Sequence, residues 1–199
     1  KSPIAGSWLQ IVKNHILKDY YAFELLMAPY IIGHLKTSLL LEDLGYNLQN
    51  GERFQLYLTN TLDLSEVEQS QMPFVAGLSE EAKKAKEVKE KIPVLVVMGN
   101  PPYSVSSSNI IKEGSDFHKL YESYKEKVRT EERNIQPLSD DYIKFIAFAH
   151  WKIKQIGQGV IGMITNNSYL DGLIHRDMRQ KLAEDFDEIY LLNLHGSSK

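Results

Sequence analysis

Hydrophobic positions along the chain switch repeatedly between the spacing of a helix and that of a strand. Apolar residues at helical spacing predict helices to about residue 17 and over residues 27–44, 142–157 and 175–186. Ser139, Asp140 and Asp141 are expected to cap the third of these, which ends at Gly157. Apolar, β-branched or alternating runs predict strands at residues 20–24, 53–60, 93–99, 159–166 and 188–196. The continuous apolar run at 93–99 is typical of a central parallel strand that is covered on both faces. Because strands alternate with helices, the sequence predicts a mostly parallel α/β sheet.

Two parts of the chain interrupt this alternation. Residues 63–77 show no periodicity and predict a loop, and the charge pattern of residues 79–92 is typical of a solvated surface helix. Residues 104–114 are rich in Ser and Asn, and a charged helical segment that resembles an insertion or a lid follows to about residue 133. We interpret residues 63–92 and 104–138 as helical or loop insertions within one domain spanning residues 1–199.

The composition is that of one globular domain, with 199 residues of which 43% are hydrophobic and 25% charged. A formal net charge of -3 excludes a generally cationic nucleic-acid coat, so any DNA contact must come from a local basic patch. The absence of cysteine excludes disulfides and thiolate zinc sites and fits a reducing, cytoplasmic setting. No metal site is predicted, because the six histidines lack ligand spacing. No membrane span is predicted either, because no apolar run reaches roughly 18 residues.

Polar residues follow four of the predicted strands. They are Glu24, Asn60, the segment 100–103 and the segment 166–169. Ligands of parallel α/β sheets bind at the carboxyl ends of the strands. We therefore expect these four strand ends to converge on one ligand site.

The segment Asn100-Pro101-Pro102-Tyr103, named here the NPPY segment, suits a planar substrate that carries an NH2 group. Two successive prolines fix two φ angles and remove two N–H donors, so this backbone only accepts hydrogen bonds. If the Asn100 side-chain oxygen and the Pro101 carbonyl each accept one amino hydrogen, the nitrogen lone pair becomes available to an electrophilic methyl group. Tyr103 would stack on the planar substrate. A proline-rich turn after a core strand is the alternative interpretation.

An NPPY tetrapeptide after a buried strand resembles the catalytic motif of amino-methyltransferases that use S-adenosylmethionine, chiefly N6-adenine DNA methyltransferases. Further segments resemble the methyltransferase region of Type ISP and related Type II fused restriction-modification enzymes: YAFELLMAPYIIGHLKTSLLL, FQLYLTNTL, DDYIKFIAFAHWKI, GVIGMITNNSYLDG, and MRQKL with FDEIYLLNLHG. The resemblance implies a Rossmann-like α/β sheet and S-adenosyl-L-methionine as cofactor. It also implies a target adenine that is flipped out of double-stranded DNA.

The resemblance implies roles for individual residues near the substrate. The catalytic motif is matched by Asn100, Pro101, Pro102 and Tyr103. Ser168 and Tyr169 correspond to residues near the target base.

Four further residues correspond to the cofactor pocket of the family. Glu24 resembles the acid that binds the ribose hydroxyls of the cofactor, and Asn60 occupies the position that contacts its adenine. Tyr142 and Phe145 match the segment that forms a wall of the pocket. Capping of the following helix is the alternative role for Glu24, and forming a turn is the alternative role for Asn60.

The sequence departs from the family pattern at the start and at the end of the fold. Family members begin with a strand and a Gly-rich turn of the form DPACGSG or DPATGTG, and this sequence contains no such turn. We therefore expect an incomplete Rossmann-like sheet, lacking its first and last strands, in a fragment of a longer bacterial, cytoplasmic restriction-modification enzyme. Target-recognition, nuclease and helicase or translocase domains of the parent polypeptide would be its partners, together with double-stranded DNA.

Two other functions stay open at this point. Methyltransferases of protein glutamine and of rRNA guanine share the tetrapeptide, and a non-catalytic DNA-positioning scaffold would retain it without turnover. The basic residues suited to phosphate contacts are Lys112, Lys119, Lys125, Lys127, Arg129, Arg176, Arg179 and Lys181. Most of these eight residues lie among acids, which predicts weak DNA binding by this chain alone.

Overall fold

A computed structural model describes residues 5–64, 73–104, 109 and 111–194 of the chain. The chain divides into two compact units, Lys1–Ile92 and Pro93–Lys199. Within the described residues, each unit contains one parallel sheet of two strands, which confirms the parallel α/β class. The incomplete Rossmann-like sheet stays a prediction, since the described strands pair only within these two sheets.

The first unit alternates helices with two strands. Its elements are α1 (Ala5–Ile11), a π-helical turn (Val12–Ile16), α2 (Leu17–Asp19), β1 (Tyr21–Glu24), α3 (Met27–Asp43), β2 (Gln55–Leu58) and α4 (Pro73–Glu90). Tyr21 lies opposite Gln55 and Glu24 opposite Leu58, so β1 and β2 end together. The predicted end of α3 is confirmed, because Gly45 takes the left-handed φ of 85° that favours glycine after a helix.

Helix α3 packs closely on β2 at a glycine. A Cβ atom at Gly33 would lie 2.7 Å from Cδ2 of Leu56, so a larger residue cannot be accommodated without movement. Helix α4 packs on the sheet through Ala85 and Val88, which are buried against Tyr57.

The structure corrects two expectations for residues 63–92. Residues 73–77 are helical and belong to α4, whereas the sequence predicts a loop there, and residues 65–72 lie outside the described part. The helix is not simply solvated, because Ala85, Val88 and Lys89 are buried at positions three and four apart. Charged residues at neighbouring positions mask this narrow buried face in the sequence.

The second unit is built around one long helix. Its elements are β3 (Val96–Gly99), α5 (Asp116–Ser123), α6 (Val128–Glu131), a 3-10 turn (Gln136–Ser139), α7 (Asp141–Lys154), β4 (Val160–Met163), α8 (Ser168–Asp171), a second 3-10 turn (Leu173–His175) and α9 (Arg176–Asp185). Val96 lies opposite Val160 and Gly99 opposite Met163. The predicted α7 is confirmed, with Asp140 as its N-cap and Gly157 at a φ of 79° after it.

The charged segment after residue 114 contributes to the core of this unit. Phe117 contacts Phe148 of α7 edge-on at 5.7 Å between ring centroids. Tyr124 and Val128 are also buried. The segment is therefore packed against α7 and is not a free lid, whereas its status as an insertion stays a prediction.

A buried hydrogen-bond chain joins α7 to the end of α9. Tyr124 Oη lies 2.9 Å from His150 Nδ1, and His150 Nε2 lies 3.0 Å from Asp185 Oδ2. Lys154 Nζ donates to the same carboxylate oxygen at 2.6 Å. His150 is only 1% exposed, and burial lowers its pKa to about 4 although the Asp185 charge opposes that shift.

Two expectations for the strands of this unit are wrong. The predicted strand 188–196 is not present at residues 188–194, which are exposed, and residues 195–196 lie outside the described part. Strand β3 is not covered on both faces: Val96 and Met98 are exposed, because α7 is the described helix that packs on β3 and β4. An apolar, β-branched run predicts an extended strand, but it does not show that helices cover both faces of the sheet.

The described part of the chain lacks two features. None of its helices is both long and apolar enough to cross a membrane. Its His, Asp and Glu side chains form no group of three placed to hold a metal ion.

Candidate active site

Strand β3 runs directly into the NPPY segment. The backbone N–H of Ile164, the residue after β4, donates to the carbonyl of Gly99, the last residue of β3, at 3.0 Å, and the segment begins after this bond. Beyond it, Asn100 and Pro102 are exposed, Pro101 is buried, and Tyr103 is 51% exposed. The amide and the phenol ring therefore face solvent, while the buried proline between them anchors the backbone.

The first turn of α7 holds the residue that follows the NPPY segment. The backbone N–H of Ser104 donates to Asp140 Oδ1 at 2.8 Å, and the Ser104 carbonyl accepts from the N–H of Asp141 at 3.3 Å. The same Asp140 oxygen accepts from the N–H of Tyr142 at 3.4 Å. One carboxylate thus caps the helix and fixes the position of the segment.

Three tyrosines from three parts of this unit lie in contact. The ring of Tyr103 meets that of Tyr142 edge-on at 5.9 Å, and Tyr142 meets Tyr169 at 6.4 Å. Tyr142 is buried, and burial is the main reason that its phenol pKa lies above the usual value, so it stays neutral. Phe145, one turn further along α7, is half-buried. The arrangement gives the exposed Tyr103 ring an aromatic support.

The loop after β4 is held from inside by polar contacts. Asn166 Oδ1 accepts from the Ser168 backbone N–H at 2.8 Å and from its hydroxyl at 2.5 Å. Arg179 Nη1 donates to the carbonyls of Tyr169 and Gly172, each at 2.8 Å. Ser168 is exposed and Tyr169 half-buried, so the loop presents both side chains at the carboxyl end of β4.

In the first unit, Glu24 and Asn60 lie at the same end of the β1–β2 sheet. The backbone N–H of Thr59 donates to the Glu24 carbonyl at 2.8 Å. Glu24 Oε1 accepts from the Leu26 N–H at 2.8 Å, and Asn60 Oδ1 accepts from the Leu62 N–H at 3.1 Å. The structural roles that the sequence leaves open, a helix-start contact for Glu24 and a turn for Asn60, are thus both present.

The structure brings the predicted residues together in two groups, one in each unit. Tyr103, Tyr142 and Tyr169 form the group of the second unit, and Glu24 and Asn60 that of the first. The convergence of all four strand ends stays a prediction.

A sequence model of the Eco57I restriction-modification methylases matches residues 22–199. The chain belongs to this family. The matched range contains every candidate site residue from Glu24 to Tyr169, and the resemblance to restriction-modification methyltransferases is confirmed.

Three solved structures are similar to this methylase. A nuclease-deletion mutant of the Type ISP restriction-modification enzyme LlaGI, in complex with a DNA substrate mimic, is 21% identical with a TM-score of 0.72 and covers 92% of this chain. The ATP-dependent Type ISP enzyme LlaBIII bound to DNA is 28% identical with a TM-score of 0.67 over 90% of this chain. A DrdV–DNA complex is 23% identical with a TM-score of 0.67 over 88%.

The methylase chain corresponds to a small part of these larger proteins. It spans 15% of the LlaGI chain, 12% of the LlaBIII chain and 17% of the DrdV chain. No curated protein matches it. The shared fold therefore covers nearly the whole of this chain and a minor part of each relative.

The residues present fit the nucleoside part of S-adenosylmethionine. Among the described residues, Glu24 Oε2 accepts no hydrogen bond, and a carboxylate at this strand end can accept from ribose hydroxyls. The described part holds no Gly-rich turn between a strand and the next helix, so it shows no cradle for the methionine part. Glu24 thus offers one acceptor oxygen that suits the ribose of such a ligand.

Most basic residues considered for phosphate contacts are engaged within the methylase. The ion pairs are Lys119–Asp116, Lys125–Glu122, Arg129–Glu122, Arg176–Glu131, Arg176–Glu132 and Lys181–Glu184. Arg179 is used by the loop after β4, and Lys127 Nζ donates to Gln180. The prediction that these residues lie among acids is confirmed for this surface.

Three residues hold these groups in place, and the sequence does not predict this role for any of them. Asp140 is predicted as a helix cap, but its bond to Ser104 joins distant positions and leaves no local pattern. Lys89 and Arg179 are hidden in runs of mixed charge. Only the fold reveals that their side chains turn inward to backbone carbonyls.

Proposed function

We propose that this chain is a catalytic part of a DNA adenine-N6 methyltransferase within a restriction-modification enzyme. The observation that carries the proposal is the rigid NPPY segment, with Asn100 exposed at the end of β3 and Tyr103 supported by Tyr142. Membership of a restriction-modification methylase family supports methyl transfer. The DNA in all three similar structures supports DNA as the substrate.

In this proposal, the NPPY segment binds the amino group of the target base. The Asn100 side-chain oxygen and the Pro101 carbonyl each accept one amino hydrogen, which draws the nitrogen toward tetrahedral geometry and exposes its lone pair. Pro101 is buried, its ring fixes φ, and Pro102 restricts its ψ, so the direction of the Pro101 carbonyl is confined. Positioning of this kind can supply roughly 7 to 11 kcal/mol of the barrier. The new N–C bond would form as the bond between the methyl group and its sulfur breaks, and the methylated nitrogen would then release one proton to solvent, so no general base of high pKa is required.

Tyr103 binds the face of the flipped base. Base–aromatic stacking contributes about 1 to 3 kcal/mol per base, and half of the Tyr103 side chain is open to solvent. Tyr142 supports the ring from the side, while Ser168 and Tyr169 lie at the neighbouring strand end. These contacts would replace the stacking that the base loses when it leaves the duplex.

S-adenosylmethionine supplies an electrophilic methyl group when it is bound. We assign Glu24 to its ribose hydroxyls, Asn60 to its adenine, and Tyr142 and Phe145 to the wall of its pocket. The natural protein would act on double-stranded DNA in the bacterial cytoplasm, together with target-recognition, nuclease and helicase or translocase domains of the same polypeptide. Family membership supports this assignment.

The test uses the natural full-length protein with S-adenosylmethionine labelled in its methyl group. Unmethylated plasmid DNA, ribosomal RNA and total protein are offered separately, and DNA is then digested to nucleosides. We expect label in DNA as N6-methyladenine. Label only in RNA or in protein glutamine would replace the proposal by one of the two alternative methyltransferases, and no label at all would favour the non-catalytic scaffold.

A further inference from the structure

A buried ammonium group lies at the carboxyl ends of both strands of the first unit. Lys89, on α4, is 2% exposed. Its Nζ donates to Thr59 Oγ1 at 2.8 Å, to the Asn60 carbonyl at 2.7 Å and to the Asp63 carbonyl at 3.0 Å. An ammonium group has three protons, and these contacts provide one acceptor for each.

The acceptors belong to the turn that contains Asn60. The N–H of Asp63 donates to the Asn60 carbonyl at 3.1 Å, so Lys89 binds the carbonyls at both ends of this turn. The N–H of Leu62 donates to Asn60 Oδ1 at 3.1 Å, and the Leu62 side chain is fully buried. Lys89 therefore fixes the backbone of the turn that sets the direction of the Asn60 amide.

The same ammonium group also contacts the end of the neighbouring strand. Lys89 Nζ lies 5.5 Å from the centroid of the Phe23 ring, which favours a cation over its face. Phe23 immediately precedes Glu24, whose carbonyl accepts from Thr59. One side chain thus links the two strand ends that carry Glu24 and Asn60.

A buried charge at this position needs a physical reason. Desolvation of an ammonium group costs several kcal/mol, and burial lowers the pKa of Lys89 to about 8, against the opposing charges of Asp63 and Glu90. An apolar residue would continue the buried face of Ala85 and Val88 without that cost. The turn that the ammonium binds accounts for its presence.

We propose that Lys89 is a positioning residue of the cofactor site, which holds the 60–63 turn in the shape that presents Asn60 to the adenine of S-adenosylmethionine. The inference rests on the proposed function and adds to it a residue from a helix that carries no part of the family motifs. Lys89 acts through the turn and does not touch the reacting atoms.

The experiment compares K89M, K89R and T59V with a matched control, K84M, in the natural full-length protein. Lys84 lies on the same helix but is exposed and pairs with Glu80. Methylation of plasmid DNA is measured over a range of S-adenosylmethionine concentrations, and cofactor affinity by calorimetry. Hydrogen exchange of α4 and β2 shows whether each variant is folded.

We expect K89M to raise KM and Kd for S-adenosylmethionine about tenfold or more, with kcat at saturating cofactor and KM for DNA within about twofold of wild type. K89R should recover part of the affinity, and K84M should match wild type. T59V keeps the shape of the side chain but removes one acceptor, so it should raise the same KM less than K89M does. If K89M is unfolded, T59V decides the question.

Unchanged cofactor affinity in folded K89M would overturn the proposal for Lys89, and so would unchanged affinity in T59V when K89M does not fold. In either case, DNA methylation by wild type would leave the proposed function intact. An equal loss of kcat and of affinity for both substrates would mean that Lys89 is merely structural. Failure of wild type to bind S-adenosylmethionine or to methylate DNA would refute the proposed function itself and, with it, the role of Lys89.

Discussion

The backbone N–H of Ser104 and the carboxylate of Asp140 lie 2.8 Å apart, and this bond joins the end of the NPPY segment to the N-terminus of α7. The two prolines already restrict the backbone before Tyr103. The segment is therefore held at one end by the β3–β4 sheet and at the other by a helix cap. Such preorganisation is what direct methyl transfer to a weakly nucleophilic nitrogen requires.

Replacing Asp140 by Ala removes the acceptor of Ser104 and the cap of α7. We expect a cap loss of about 1 kcal/mol in α7 and a fall in kcat of up to about 100-fold, because Asn100 and Tyr103 lose their placement. Steady-state DNA methylation by the full-length protein measures the effect. D140N keeps Oδ1 as an acceptor and is expected to stay within about threefold of wild type. A kcat of D140A equal to that of wild type would show that the bond between Asp140 and Ser104 has no role in catalysis.

In the proposed function, replacing Tyr103 by Ala removes the stacking surface for the flipped base. Loss of about 1 to 3 kcal/mol of stacking should raise KM for DNA about 5- to 150-fold. Y103W provides a larger aromatic face and should retain most of the activity, and it serves as the control. Titration of unmethylated plasmid DNA at saturating cofactor gives the comparison, and equal KM values for Y103A and Y103W would contradict the stacking role.

Arg179 and Arg176 are neighbouring arginines with different expected effects. Arg179 holds the Tyr169 and Gly172 carbonyls from inside, whereas Arg176 pairs with Glu131 and Glu132. We expect R179A to lower methylation about tenfold by loosening the loop after β4, and R176A to change it little. Neither variant should reduce the salt dependence of DNA binding, since both arginines already have partners. A weaker salt dependence of R176A, measured over a series of salt concentrations, would instead identify a phosphate contact.

His150 makes the packing of α7 on α9 sensitive to acid. Its pKa is lowered to about 4 by burial, whereas an unfolded histidine titrates near 6.5. As the pH falls, the unfolded chain is therefore protonated at this histidine before the folded chain is. The contribution of neutral His150 to the free energy of unfolding is fully present above pH 6.5 and is lost as the pH falls from 6.5 toward 4, by roughly 3 kcal/mol in total. Hydrogen exchange of α7 and α9, corrected for intrinsic rates, should show less protection at pH 5 than at pH 7.5. H150Q has no imidazole at residue 150, so its hydrogen exchange should be equally protected at pH 5 and pH 7.5. The same loss of protection in H150Q would exclude His150 as its source.

The sequence predicts best where local signals agree. Asp140 before an amphipathic run predicts the start of α7, which is confirmed, and the helix ends at Lys154, three residues before the predicted end at Gly157, which takes a left-handed φ of 79°. The NPPY segment is placed correctly at the end of β3 because prolines cannot continue a central strand. Helix caps, the spacing of apolar residues and the backbone restrictions of proline each depend on a few neighbouring residues. They can therefore be recognised in the sequence without knowledge of the fold.

Features that depend on distant contacts are not predicted. The run 188–194 has the composition of a strand, but a strand also needs a pairing partner, and none of the described strands pairs with it. Lys89 belongs to a charged run whose surface character is correct for Lys84 and wrong for Lys89, because only one helix face meets the sheet. The bond between Asp140 and Ser104 likewise arises only when the chain folds.

The role of Asn100 is tested most directly by separating methyl transfer from cofactor binding. The measurement compares wild type with N100A in the natural full-length protein, using labelled S-adenosylmethionine for methyl transfer to DNA and calorimetry for cofactor affinity. The account predicts that N100A forms no detectable N6-methyladenine and binds S-adenosylmethionine within about twofold of wild type, because the amide contacts the target amino group and not the cofactor. Retained methylation, or loss of cofactor binding in folded N100A, would contradict it.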